Sequence, residues 1–313
     1  MAYMVMRRAD GRAGAAAPAM LPVPGITLQA GEGTVRLLRR AGQWQLAAGP
    51  FPPSELVAAF ALLEAASLPE AVEQVRRWPA GGGDAVYELR AAGCPGGCVG
   101  FDERGTAGGN VPQRRPELTR YVVFIRADAN AECDLAPPPA AIDAMNRHNE
   151  QGVRDGVLLA GEGLKSSARG ARVRFAGGAS TVVDGPFTEV KELIAGYWML
   201  QAASPEAALA WIRRYPYPGD GDVTLELREV CEVSDMRAGR GGSAVSEVSE
   251  VSAAGGMNAV RDKSGAAAVA IPVVQADDNA FTPAERAAEQ RMRAGQLETG
   301  MQAALVHVLG RCR

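Results

Sequence analysis

The most strongly patterned part of the chain begins at Tyr121. YVVFIRA, residues 121 to 127, is rich in β-branched and aromatic residues and predicts a strand. PPPAAIDAMNRHNEQGVRDG follows, with Pro138 and Pro139 at a helix start and Gly156 at its stop. On that helix Ile142, Met145, Asn149 and Val153 fall close to one face, so its buried stripe is only partly apolar. GVLLAGEG, ARVRFAGG and STVVDG read as short strands punctuated by glycine. After the turn DGPF and a short extra helix, GYWMLQAA reads as another strand. Ser204-Pro205-Glu206 then opens a helix, because serine can cap it and proline needs no backbone donor in the first turn. That helix runs to Arg214, stops before Pro216, and VTLELREV closes the series as a strand. The order β-α-β-β-β-α-β predicts an α+β module of ferredoxin-like type, with helices on one sheet face.

The same phrases occur earlier in the chain and in the same order. AYMVMRRAD at 2–10 matches RYVVFIRAD at 120–128, and QAGEG at 29–33 matches LAGEG at 159–163. AAGPF at 47–51 matches VDGPF at 183–187, LLEAASLPEAVEQVRRWP at 62–79 matches MLQAASPEAALAWIRRYP at 199–216, and VYELRAAGC at 86–94 matches LELREVCEV at 225–233. Chance similarity does not keep order over such a length, so the sequence reads as two copies of one module. In the first copy GRAGAAAPAMLPVPG stands where the first helix belongs, and its glycines and prolines oppose a full helix. The predicted organisation is a degenerate module at 1–93, a Gly/Pro-rich linker at 94–118, an intact module at 119–232, a flexible Ala/Gly/Ser-rich linker at 233–280 and a C-terminal helix at 281–313. Thr282-Pro283-Ala284-Glu285 fits a capping box for that last helix, whose Met301, Leu305, Val308 and Leu309 can dock on the body or on a protein partner.

Composition refines this picture in a few places. Apolar residues make up 47% of the 313 positions and charged residues 22%, ordinary for a globular chain. A net charge of −3 without a concentrated basic patch argues against nucleic acid as a partner. No stretch approaches the roughly 18 uninterrupted apolar residues of a membrane span. MAYMVMRRADG places its apolar run before its arginines, the reverse of a signal peptide. Cys94, Cys98, Cys133, Cys231 and Cys312 are odd in number and sparse, which predicts no disulfide framework and a cytoplasmic location.

The second copy resembles the YCII-related family, also called DGPF-domain proteins. The resemblance rests on YVVFI, the helix with His148, GEG at 161–163, DGPF at 184–187, TEVKELIAGYW behind it, and the SPEAALAWIRRYP helix followed by ELR. It implies a ferredoxin-like fold that pairs into a dimeric α/β barrel, here as an intramolecular pseudo-dimer. It also implies a catalytic histidine and aspartate, carried here by His148 and Asp184, as in a chlorinated-hydroquinone dehydrochlorinase. Other members look like partners of sigma factors, which gives an alternative: a non-catalytic regulatory protein with the C-terminal helix as its binding element.

Read as chemistry, a histidine oriented by a carboxylate can take a proton from a small molecule at neutral pH without metal or organic cofactor. The rival reading is that His148, at the edge of the buried stripe, merely flanks the core. Asp184 can likewise serve only the backbone donors of its turn. The first copy bears on this choice, since it keeps Gly49-Pro50-Phe51 but has Ala48 and no histidine, so the turn itself does not need the aspartate. Gly185, expected to take an unusual backbone angle, Pro186 and Phe187 form the structural part of the signature. Arg126, Glu162, Lys191 and Tyr197 are further substrate-binding candidates, each more often a solvated or packing residue. Cys94-Pro-Gly-Gly-Cys98 has no second Cys/His pair at metal-ligand spacing, and the two GEG segments lack a phosphate-cradling pattern.

Overall fold

A computed structural model describes residues 1–9, 21–29, 31–79, 84–94, 113–187, 193–218 and 221–232. The first half of the chain contributes β1 (Ala2–Arg8), β2 (Ile26–Thr27), β3 (Val35–Arg40), β4 (Gln43–Ala48), β5 (Val57–Glu64), α1 (Leu68–Arg76) and β6 (Ala85–Ala91). The second contributes β7 (Thr119–Arg126), the helical turn α2 (Ala129–Glu132), α3 (Pro139–Arg154), β8 (Leu158–Gly163), β9 (Gly170–Ala176), β10 (Ala179–Asp184), β11 (Ile194–Ala202), α4 (Pro205–Arg213) and β12 (Val223–Glu229). The predicted strands and the two main helices of the second half all form. Residues 188–192, the predicted short helix after DGPF, lie outside the described residues, as do the tail helix and most of the 94–118 segment.

The helix starts follow the local chemistry. Ser204 caps α4 by accepting from the Ala207 N–H at 3.3 Å, and Ser67 caps α1 by accepting from the Glu70 N–H at 3.4 Å. Gly156 ends the α3 turn at φ 70°, a left-handed conformation that glycine adopts without a Cβ penalty.

The strands assemble into two six-stranded antiparallel sheets, ordered β10-β9-β6-β1-β5-β2 and β4-β3-β12-β7-β11-β8. Exchanging each strand for its counterpart in the other half turns one order into the other. Each sheet therefore borrows a hairpin: β9–β10 pairs with β6, with Leu89 opposite Ala171, and β3–β4 pairs with β12, with Leu37 opposite Leu225. Sequence periodicity carried no sign of this exchange, because pairing partners are chosen between strands and not within them.

Three apolar clusters hold the layers together. One packs α3 and α4 on the outer face of the second sheet through Met145, Val153, Leu209, Trp211, Ile212, Trp198 and Leu200. A second packs α1 on the outer face of the first sheet through Ala71, Val72, Val75, Tyr3 and Leu89. The third lies between the sheets and joins Met4, Met6 and Phe60 to Val122, Phe124, Tyr197 and Met199. Alternation along each strand assigns the remaining positions: Leu225 and Leu227 face outward, so Glu226 and Arg228 face the space between the sheets. Outward-facing Tyr87, Leu89 and Ala91 likewise turn Glu88 and Arg90 inward.

The cysteines depart from expectation. Cys94 and Cys133 each take part in a disulfide, and Cys231 is buried. An odd, sparse count argues against a framework of bridges but says nothing about which thiols the fold brings together, so it does not set the redox compartment. No helix among the described residues is long and apolar enough to cross a membrane.

Candidate functional site

His148 and Asp184 are placed on different layers. His148 lies on α3, on the outer side of the second sheet, with its ring 4.7 Å from Trp211 and 5.3 Å from Tyr215. Its Nε2 is buried with no hydrogen-bond partner, and burial first, then the Arg214 guanidinium, push its pKa down against a smaller pull from Asp155. Asp184 is exposed at the end of β10, opposite Ala171 in the first sheet. The carboxylate acting on His148 is thus Asp155, and the geometry does not join His148 to Asp184.

The turn after Asp184 is explained by crowding. A Cβ on Gly185 would stand 1.7 Å from the Ser167 carbonyl oxygen, so only glycine fits there. Its φ is not in the left-handed region, contrary to the expected unusual angle; close approach, not backbone freedom, selects the residue. The Gly185 N–H donates to the Gly170 carbonyl at 3.0 Å and the Phe187 N–H to Ser167 Oγ at 3.2 Å. Both Gly49–Pro50 and Gly185–Pro186 are cis. Phe187 is buried, and its ring lies 4.1 Å from the Arg172 guanidinium; Phe51 of the earlier turn lies 3.9 Å from Arg36.

Those two arginines lead to an ionic cluster between the sheets. Glu88, fully buried, is met by Arg8 at 2.5 Å, Arg172 at 2.8 Å and Arg90 at 3.3 Å. Burial alone would raise its pKa, but the three guanidiniums outweigh burial and bring it to about 2. Glu226 is the counterpart, paired with Arg126, with Arg36 at 3.1 Å and with Arg228 at 3.6 Å. In each set two arginines belong to one half of the chain and the third arrives on the borrowed hairpin. Arg126, a sequence candidate, therefore belongs to this cluster; it also donates to the Glu55 carbonyl at 2.8 Å. The recurring ELR and R-A-D phrases were the sequence signal for these pairs, although the hairpin arginines could not be assigned without the pairing.

Two other candidates do come together. Glu162 and Tyr197 are cross-strand partners on β8 and β11. Tyr197 is completely buried in the inter-sheet cluster, its ring 5.1 Å from Phe60, and its hydroxyl has no hydrogen-bond partner. Glu162 is buried, and loss of solvation raises its pKa from 4.5 to about 7 despite a hydrogen bond from the Gly163 N–H and the charge of Lys165. The Glu162 carboxylate in turn adds to burial in raising the Tyr197 phenol. Lys191 and the C-terminal residues 281–313 lie outside the described residues. Among the described residues no group of three or more His, Cys, Asp or Glu side chains is arranged to hold a metal.

Residues 119–234 match the model of the YCII-related domain. No curated protein matches the chain. Among solved structures, a crystal structure of an anthrone oxidase-like protein aligns at 9% identity, over 74% of this chain and 92% of that one, with a TM-score of 0.26. The two-sheet architecture is that of a dimeric α/β barrel built within one chain, and residues 119–234 supply Glu162 and Tyr197 to its interior.

Proposed function

We propose that the YCII-related domain binds a small molecule between the two sheets and transfers a proton to or from it, with Glu162 as the acid–base group. The observation that carries this reading is the Tyr197 hydroxyl, fully buried, without a partner, and opposite a carboxyl poised near neutrality. A buried hydroxyl left unpaired costs about 1–3 kcal/mol, so a site that keeps one gains by offering it to a ligand. A carboxyl with a pKa near the working pH is suited to both accepting and returning a proton. Met4, Met6, Phe60, Phe124 and Met199 surround the pair with apolar surface, which favours a ligand with an apolar body and one oxygen acceptor. In this scheme Tyr197 donates to that oxygen while Glu162 removes a proton from the adjacent carbon, the first half of an enolisation or a lyase-type elimination. His148 and Asp184 do not enter the scheme, because they stand on different layers.

The test is solvent deuterium exchange at the acidic carbon of a panel of small enolisable ketones and halogenated hydroquinones, followed by proton NMR. Glu162→Gln should lower exchange about 100-fold, within the usual range for a positioned acid–base group. Tyr197→Phe should weaken it while leaving a dependence on an ionisation near pH 7. Exchange that survives Glu162→Gln unchanged would rule the assignment out.

A further inference from the structure

The two sheets differ at the Glu162–Tyr197 pair, and the strand registers show how. Phe60 on β5 lies opposite Met6 on β1, and Tyr197 on β11 lies opposite Phe124 on β7, so Phe60 and Tyr197 hold equivalent positions. On the other flank of these strands, Ile26 lies opposite Phe60 and Glu162 opposite Tyr197. The neighbouring bridges give the same alignment, because Leu28 meets Val230 where Leu164 meets Ala92. The structural counterpart of Glu162–Tyr197 is therefore Ile26–Phe60, and not Glu32, which the phrases QAGEG and LAGEG align with Glu162. The first GEG forms a single helical turn, whereas the second ends β8 as strand.

The two pairs also meet across the inter-sheet space. The rings of Phe60 and Tyr197 stand 5.1 Å apart at 56°, and Phe124 lies 5.9 Å from Phe60. Packed aromatic rings stand about 4.5–7 Å apart, so nothing further fits between Phe60 and Tyr197. Phe60 is completely buried on a strand paired on both flanks, which makes its ring a fixed wall. Met4, Met6 and Met199 share the same cluster, and their unbranched side chains adapt to what lies against them. A ligand oxygen at the Tyr197 hydroxyl thus meets a rigid stop on one side and yielding surface elsewhere.

We propose that Phe60 is the specificity-determining residue of this site: its ring limits the body that a ligand can carry beside the carbon deprotonated by Glu162, so the site takes ketones with compact, unbranched groups. The inference rests on the acid–base reading of Glu162. It gives the first half of the chain a function of its own. That half carries Ile26–Phe60 where the second carries a carboxyl and a phenol, so it supplies selection and not proton transfer, and the chain holds one such acid–base pair instead of two.

The experiment measures solvent deuterium exchange at the methyl ketone group of butanone and of pinacolone, which carries a tertiary butyl group, in competition on the full chain. The uncatalysed rates are subtracted. Wild type should favour butanone, and Phe60→Leu should shift the rate ratio toward pinacolone by about tenfold or more. Phe60→Met, unbranched and of similar volume to leucine, should shift it in the same direction. A substitution that merely loosened the fold would slow both ketones together and leave their ratio unmoved. Val72→Ala, in the separate cluster beneath α1, is the control for this and should keep the wild-type ratio. An unchanged ratio in folded Phe60→Leu and Phe60→Met, with exchange still dependent on Glu162, would overturn the assignment of Phe60 alone. Exchange by wild type no faster than by Glu162→Gln would overturn the acid–base reading and the specificity with it.

Discussion

Replacing Glu162 by glutamine isolates one carboxyl whose ionisation is coupled to folding. In the unfolded chain it titrates near 4.5, and burial raises it to about 7 in the folded protein. Between those values the folded state holds a proton that the unfolded state has released, so stability must fall as pH rises. The two pKa values correspond to about 3 kcal/mol, lost between roughly pH 4.5 and pH 7. Glu88 acts in a separate window: its pKa of about 2 gives stability that is present above 4.5 and lost as pH falls toward 2. His148 has a lowered pKa, so it adds stability that is lost as pH falls below its unfolded value of 6.5. Its slope is opposite to that of Glu162 and overlaps it. The wild-type curve alone is therefore a mixture, and the informative quantity is the difference from Glu162→Gln, in which the other groups cancel. Urea unfolding at pH 4.5 and pH 8 should show wild type losing about 3 kcal/mol more than the variant across this interval. Equal pH dependence in the two proteins would refute both the buried, neutral carboxyl and the acid–base role built on it.

Four further outcomes follow from named contacts. Tyr197→Phe removes a buried hydroxyl with no partner and should leave stability unchanged or raise it by about 1 kcal/mol in urea unfolding. Gly185→Ala forces a Cβ into the Ser167 carbonyl and should cost about 3 kcal/mol or more, read as a lowered Tm. Glu88→Gln leaves Arg8, Arg90 and Arg172 facing one another without their shared carboxylate and should cost about 3–5 kcal/mol by the same measurement. Residues 113–232 produced alone lack both β6 and the β3–β4 hairpin, so they should exchange hairpins with a second copy and elute as a dimer in size-exclusion chromatography. A stable monomer would show that the borrowed hairpins are dispensable.

The strands, the main helices and their caps were legible in the sequence, because each depends on alternation, capping residues and breakers within a few positions of one another. Ser204, Pro205 and Gly156 state their roles locally, and the YCII-related phrase was recognisable for the same reason. The repeated order of AYMVMRRAD, GPF and ELR is likewise a local pattern that the sequence carries on its face. Tertiary structure decided everything that depends on which strand lies beside which. It sent each hairpin to the other half's sheet, set Arg172 against Glu88 and Arg36 against Glu226, and put His148 and Asp184 on separate layers. It also gave Gly185 its reason, since the crowding carbonyl belongs to Ser167 and lies far outside any local pattern. Glu162 and Tyr197 could be listed from the sequence as polar residues near a signature. Their chemistry arises only because β8 and β11 pair and water is excluded between the sheets, and a pKa is set by surroundings that the linear chain does not contain.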